Sequence, residues 1–285
     1  AGGNFTFPVG GTQLAGYAVG IGSANTVTSG GVAIGASNQA SHASNFTMAL
    51  GLGNQTVGAY GAAIGVANAV SGTSAVAIGT ANLASGNTSI AMGRQSSASG
   101  NTSIALGNVS TASQTNAIAI GHSTQATAEG AIALGGGTNG ASTNLDATAA
   151  RATGANAVAI GTNSNSADVD AVAIGRAASA ANEGDIAFGA GAIANSDVNG
   201  INAGAVAIGM SSVANNSAGA GNNSVAIGRQ AIATSTAAAG SSPTAIGAFA
   251  NASGAGSQVA IGDSSTASGT DAIAIGGHAF AAGSL

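Results

Sequence analysis

One short phrase, [Val/Ile]-Ala-[Ile/Leu/Met/Phe]-Gly, returns down this chain at a fixed interval, and that interval constrains the fold more than any other feature. Val76-Ala77-Ile78-Gly79, Ile90-Ala91-Met92-Gly93, Ile104-Ala105-Leu106-Gly107, Ile118-Ala119-Ile120-Gly121 and Ile132-Ala133-Leu134-Gly135 follow one another every 14 residues. With small variations the phrase occurs sixteen times between Val32 and Gly276. A unit this short cannot enclose a core of its own, so neighbouring units must stack and share one. The expected product is a rod of stacked coils in place of conventional domains.

Within each phrase the two large residues stand two apart and share one face of a strand, while the intervening alanine points the other way. Recurrent glycine and β-branched residues argue against helix. The other half of the repeat holds a small residue five after the phrase glycine and often Gly or Asn seven after it, as in Ala84-Ser85-Gly86 and Ala98-Ser99-Gly100. It reads as a second, small-residue strand bracketed by bends where Gly or Asn accepts positive φ. The predicted fold is all-β, a parallel β-roll of about 14-residue coils, each adding roughly 4.8 Å along the stack.

The residues assigned to the structural core of the repeat are Val76, Ile78 and Gly79; Ile90, Met92 and Gly93; Ile104, Leu106 and Gly107; Ile118, Ile120 and Gly121; Val158, Ile160 and Gly161; Val172, Ile174 and Gly175; and Val225, Ile227 and Gly228. The pattern leaves open whether the large residues face the lumen of the roll or a neighbouring subunit. So thin a roll carries little core against the entropy of ordering its backbone, which predicts self-association.

Spacing divides the chain. Residues 1–31 read as an N-terminal cap with atypical first coils, 32–135 as regular repeats, 136–156 as an insertion loop and 157–285 as repeats with longer coils. Insertions are expected around Gly136 to Arg151, Ile193 to Gly204, Ala214 to Asn223 and Thr234 to Ser242. Insertions in a solenoid leave as surface loops, which makes these the leading candidates for recognition.

Composition narrows the function classes. Low hydrophobicity and high net charge mark disorder, whereas this chain is 45% apolar and strictly phased. Nine acids stand against four arginines, with no lysine, so no basic stripe exists for a phosphate backbone and nucleic acid is not an expected partner. Cysteine is absent, which removes disulfides and thiolate metal sites. Ala1 to Gly11 show neither a basic start nor an apolar run, and no apolar stretch approaches the roughly 20 residues of a membrane helix. The chain as given reads as a soluble piece of a longer protein.

The runs Asn87-Thr88-Ser89-Ile90-Ala91-Met92-Gly93, Asn101-Thr102-Ser103-Ile104-Ala105-Leu106-Gly107 and Asn223-Ser224-Val225-Ala226-Ile227-Gly228 closely resemble the head repeats of trimeric autotransporter adhesins of the Yersinia adhesin type. The resemblance covers Val32 to Gly277. It implies a single-stranded left-handed roll, assembled as a homotrimer and displayed on the outer membrane of a Gram-negative bacterium. It also implies partners among host extracellular matrix proteins (collagen, fibronectin or laminin), host cells or abiotic surfaces. A membrane would be engaged only through parts of the parent protein outside this sequence, since no neck, heptad stalk or barrel anchor is recognisable here.

No enzyme is expected. His42, His122 and His278 lie in separate coils, and the many Ser and Thr lack a nearby base, so no catalytic set converges. No cofactor is predicted. Gly135-Gly136-Gly137 lacks the Gly-Lys-Ser/Thr of a phosphate loop and reads as an insertion. Asp168, Asp170, Glu183, Asp185 and Asp197 fall in three consecutive coils and are expected in solvated turns, a calcium-like or basic-partner site being the sharper alternative. Arg94, Arg176 and Arg229 each follow a phrase glycine and are expected on exposed bends, with pairing to a neighbouring subunit as the alternative. Phe188 occupies a phrase position and is expected in the core. Phe46, Tyr60, Phe249 and Phe280 fall outside that phase and are expected at coil edges or subunit seams, or as exposed anchors. The Asn-x-Ser/Thr triplets, Asn54-Gln55-Thr56 among them, arise by chance in such a composition. Of the rival solenoids, an ice-binding one needs an unbroken threonine row that is missing here. A hexapeptide acyltransferase needs a period in multiples of six.

Overall fold

In the computed structural model each phrase is a strand, and within each of two compact units it pairs with the phrases of the neighbouring coils. The structure describes residues 12–13, 18–28, 30–42, 46–137, 147–196, 204–216, 223–235 and 240–283. Those residues hold strands, turns and bends and no helix. The fold is an all-β parallel solenoid, in which 17 phrase strands alternate with 18 short ones.

The chain divides into two compact units, Ala1–Gly130 with Asn139–Asp146, and Ala131–Thr138 with Ala147–Leu285. In the first, the phrase strands run from Val19–Ser23 to Ile118–Ile120. Val76 pairs with Ile90, Ala77 with Ala91 and Gly79 with Gly93, then Ile90 with Ile104 in the same register. The second unit repeats the scheme from Ile132–Leu134 to Ile273–Ile275, with Val158 on Val172 and Ala159 on Ala173. Identical phrases at equal phase pair residue for residue because any slip would carry alanine out and isoleucine in.

The question that the pattern left open is settled by burial. Ala77, Ala91, Ala105, Ala119, Ala159, Ala173 and Ala226 are fully buried, so the alanines line the lumen. Three further inward rows complete it, exemplified in one coil by Ala75, Asn82 and Ala84, all buried. The lumen is filled mainly by small residues, with Val27, Val70 and Gln258 as larger exceptions, and interiors tolerate neither overlap nor void. The valines and isoleucines of the phrase therefore point outward, and none of those assigned to the repeat core is buried in the single chain. Phe188, expected in the core, is 52% exposed for the same reason.

Two glycines per coil have distinct physical causes. Phrase glycines sit at positive φ, Gly79 at 122°, and a Cβ there would lie 2.0 Å from the carbonyl oxygen of Gly93 in the next coil. The glycine found seven residues on in several coils was expected to take a left-handed bend, and Gly58, Gly72, Gly86 and Gly100 do not. A Cβ on Gly86 would stand 1.9 Å from the Gly100 oxygen, so that glycine serves close approach. The left-handed residue follows two later, at Thr88 (φ 54°) and Thr102 (φ 54°).

A coil stands before Val32 with an atypical spacing of 13 residues: Val19 pairs with Val32 and Gly22 with Gly35, with Gly20 in the alanine place. The loop expected over 136–156 ends sooner, because Arg151–Ala152 is a strand paired with Asn165–Ser166. Residues 138–146, 197–203, 217–222 and 236–239, the centres of the expected insertions, lie outside the described residues.

Candidate binding surface

The outward face of the phrase strands is largely apolar. In each coil the residues three and one before the glycine stand side by side, and register stacks them into two apolar columns. In the first unit the columns contain Val76, Ile90, Ile104 and Ile118 beside Ile78, Met92, Leu106 and Ile120. In the second they contain Val158, Val172 and Ile186 beside Ile160, Ile174 and Phe188. Met92 and Ile120 are exposed and the others half-buried, apart from Ile186 and Phe188, which are exposed. In each unit water touches a hydrocarbon ridge of a kind that soluble monomers rarely leave open.

In the first unit the ridge has a notch. Ala62 replaces the usual Val or Ile, and a groove lined by Val32, Phe46, Thr47, Met48, Tyr60, Gly61 and Ala62 opens there. Phe46 (65% exposed) and Tyr60 (59%) stand in adjacent coils, joined by a Tyr60 N–H to Phe46 carbonyl bond of 2.7 Å. At the far end of the chain Phe280 is 72% exposed. Phe249 is exposed as well, and the Arg229 guanidinium lies 4.1 Å from its ring centroid, a cation–π contact within the chain.

A second, smaller apolar stripe runs on the short strands of the second unit. Ile193 pairs with Val213 and Val213 with Ile232, where most other coils carry Ser, Thr, Gln or Asn outward and Leu83 and Phe280 stand as isolated apolar exceptions. Beside it Asn195 Nδ2 donates to Asn215 Oδ1 (3.2 Å). The sequence reading passed over this stripe because it sought large residues only in the phrase. The rule that alternate residues of a strand share a face would have found it.

The charged residues are placed separately. Arg94 Nε donates to Asn108 Oδ1 at 3.2 Å, and Arg176 is exposed. Asp168, Asp170 and Glu183 are exposed in turns, Asp170 accepting from Asn156 Nδ2 (3.1 Å). Asp185 departs from the expectation of a solvated turn: it is fully buried. Asp197 lies outside the described residues. Among the described residues no three His, Cys, Asp or Glu side chains group as metal ligands. His42, His122 and His278 are not brought together, each standing in its own coil. Asn54, the first residue of an Asn-x-Thr triplet, is buried with its side-chain amide bonded to Leu50 and Gly65 carbonyls (2.9 and 2.7 Å), which leaves it no surface for modification.

Comparison with known families matches the YadA head domain repeat over residues 84–110, 112–138, 148–164, 152–178, 169–192, 201–231, 220–238 and 259–279. These segments cover more than half of the chain. The chain belongs to the YadA head repeat family. Its function is accordingly of the adhesin type, carried by a structural and adhesive domain. Comparison with curated proteins gives no match. The matched segments begin at residue 84, yet the coils before it have the same strands and register, so the YadA head architecture extends towards the N-terminus beyond the matched repeats.

Proposed function

We propose that this YadA head works as a homotrimer exposed on the surface of a Gram-negative bacterium, attaching the cell to host matrix proteins such as collagen, fibronectin or laminin, to host cells, or to abiotic surfaces. One observation carries the reading: the doubled column of mostly large apolar residues on the outward face of the phrase strands. Burying a Val or Ile side chain contributes about 1.5–3 kcal/mol, and in a single chain these side chains are only partly buried, so part of that remains unrealised. Packing three such ridges against one another supplies the core that the alanine-lined lumen lacks. The trimer would then offer its polar faces and insertions in three copies, so that weak contacts multiply.

Light scattering on the chain tests the assembly, the expected mass being that of three copies. Ile104→Glu places a charge on the ridge without entering the lumen and is expected to yield monomers. A stable, folded monomer of the unaltered chain would overturn the reading. Attachment is tested by binding to immobilised collagen, fibronectin and laminin, and loss of assembly is expected to weaken the apparent affinity at least tenfold through lost avidity.

A further inference from the structure

Asp185 is the one ionisable side chain among the fully buried residues of the described lumen. It occupies the inward row held by Ala171 one coil earlier and Ala205 one coil later, both fully buried. A buried carboxylate is costly unless its oxygens are satisfied, and these are met by backbone. The Asn182 N–H donates to Oδ2 (2.9 Å), the Ala205 N–H to Oδ1 (2.8 Å), and the Ser196 N–H to both oxygens (3.3 and 3.2 Å).

These donors have a common origin. In a regular coil the residue seven after the phrase glycine and the residue four before the next one close a tight turn. Ser89 N–H bonds to the Gly86 carbonyl (3.3 Å), Ala171 N–H to Asp168 (3.2 Å) and Asp185 N–H to Asn182 (3.1 Å). One coil further on the corresponding residues are Ser196 and Ala205, nine apart in place of three because an insertion separates them. The turn bond between them is replaced from the coil below. Asp185 Oδ1 takes the Ala205 N–H that the turn carbonyl would have accepted. The Asn182 side-chain amide donates to the Ser196 carbonyl that the turn N–H would have reached, and to Asn195 Oδ1 at 2.8 Å.

We infer that Asn182 and Asp185 form a side-chain splint that substitutes for the turn interrupted between Ser196 and Ala205, and so fixes the two ends of that insertion on a rigid base. Two other inserted coils meet the same need by other means. In the one after Gly35, the Thr28 hydroxyl from the coil below accepts the His42 N–H (2.9 Å) and donates to the His42 carbonyl (3.0 Å). In the one after Gly228, the residue four before the next phrase glycine is Pro243, which has no N–H to satisfy.

The test is a two-by-two comparison in the full chain: Asp185→Ala with and without deletion of residues 197–202, which restores a 14-residue spacing and a tight turn. With the insertion present, Asp185→Ala is expected to speed hydrogen exchange at the Ser196 and Ala205 amides roughly tenfold or more and to lower the melting temperature. After deletion the same substitution is expected to leave the melting temperature within the error of the parent. Folding of Asp185→Ala only in the deleted background supports the splint equally. An equal loss in both backgrounds, or none in either, overturns it. If the deletion itself prevents folding, Asp185→Asn in the full chain decides by exchange. Faster exchange confined to Asn182, Ser196 and Ala205 supports the splint, and a uniform rise across the phrase strands overturns it.

Discussion

The coils before residue 83 and those after residue 157 turn the same corner by different chemistry. In the first set the third residue after the phrase glycine is asparagine: Asn25, Asn38, Asn54, Asn68 and Asn82, all buried. Each amide reaches into its neighbours. Asn82 Nδ2 lies 2.9 Å from Asn68 Oδ1, 3.0 Å from the Ile78 carbonyl and 2.8 Å from the Gly93 carbonyl, and its own Oδ1 accepts the Ser96 N–H at 2.9 Å. In the second set that place holds Ser164, Ala178, Ala192, Ser212, Ala231, Ala250 and Ser265. There the corner closes within the coil, by backbone bonds such as Ala178 N–H to the Gly175 carbonyl (3.2 Å).

The strands follow the corner. Along the asparagine ladder the phrase strand continues through its glycine and one residue beyond, as in Val76–Thr80, whereas with the internal turn it stops before the glycine, as in Val158–Ile160. A ladder ties each coil to the next and polarises along its length. An internal turn makes each coil self-sufficient at that corner. Three of the four long insertions expected from the sequence fall among the self-sufficient coils, where extra residues at the opposite corner leave this one intact.

Three substitutions would break or sharpen that contrast. The largest effect is expected for Asn68→Ala, which removes the donor to the Gly79 carbonyl (2.8 Å) and leaves Asn54 and Asn82 without their shared partner. Urea unfolding should show a loss of about 2–4 kcal/mol, since buried polar groups are stranded on both sides. Next comes Ala178→Asn, which puts a lone asparagine amide into a fully buried alanine site with no ladder to join. A loss of about 1–3 kcal/mol is expected in the same measurement, and a gain would show that the ladder can nucleate anywhere. The smallest is Ser164→Ala. Its hydroxyl bonds the Gly161 carbonyl at 2.7 Å, but the Ser164 N–H already bonds the same carbonyl at 3.1 Å, so the loss should stay below about 1 kcal/mol. A drop as large as that of Asn68→Ala would erase the distinction between the two corners.

Much of this was legible in the residues. The phrase and its spacing specify strands, parallel pairing and register, as Val76 on Ile90 and Ala159 on Ala173 attest. The asparagines three after the glycine stood in plain view as well, but a buried amide ladder and a solvated turn carry the same residue type, and only burial tells them apart. Asp185 was hidden for the same reason. Its phase, four before a phrase glycine, is the lumen row, yet that row is recognisable as interior only after the alanine face has been placed inside.

The sequence by itself determined the period, the strands and the order in which identical coils lie on one another, because a two-residue alternation repeated at constant phase admits one register. It could not decide which side of each strand is the inside. Both sides are apolar, alanine on one and valine or isoleucine on the other, so hydrophobicity alone does not choose. The tertiary structure chose through packing: the phrase alanine faces a lumen filled mainly by small residues, with Val27 and Val70 buried there too, and the larger hydrocarbons of the phrase are left on the exterior.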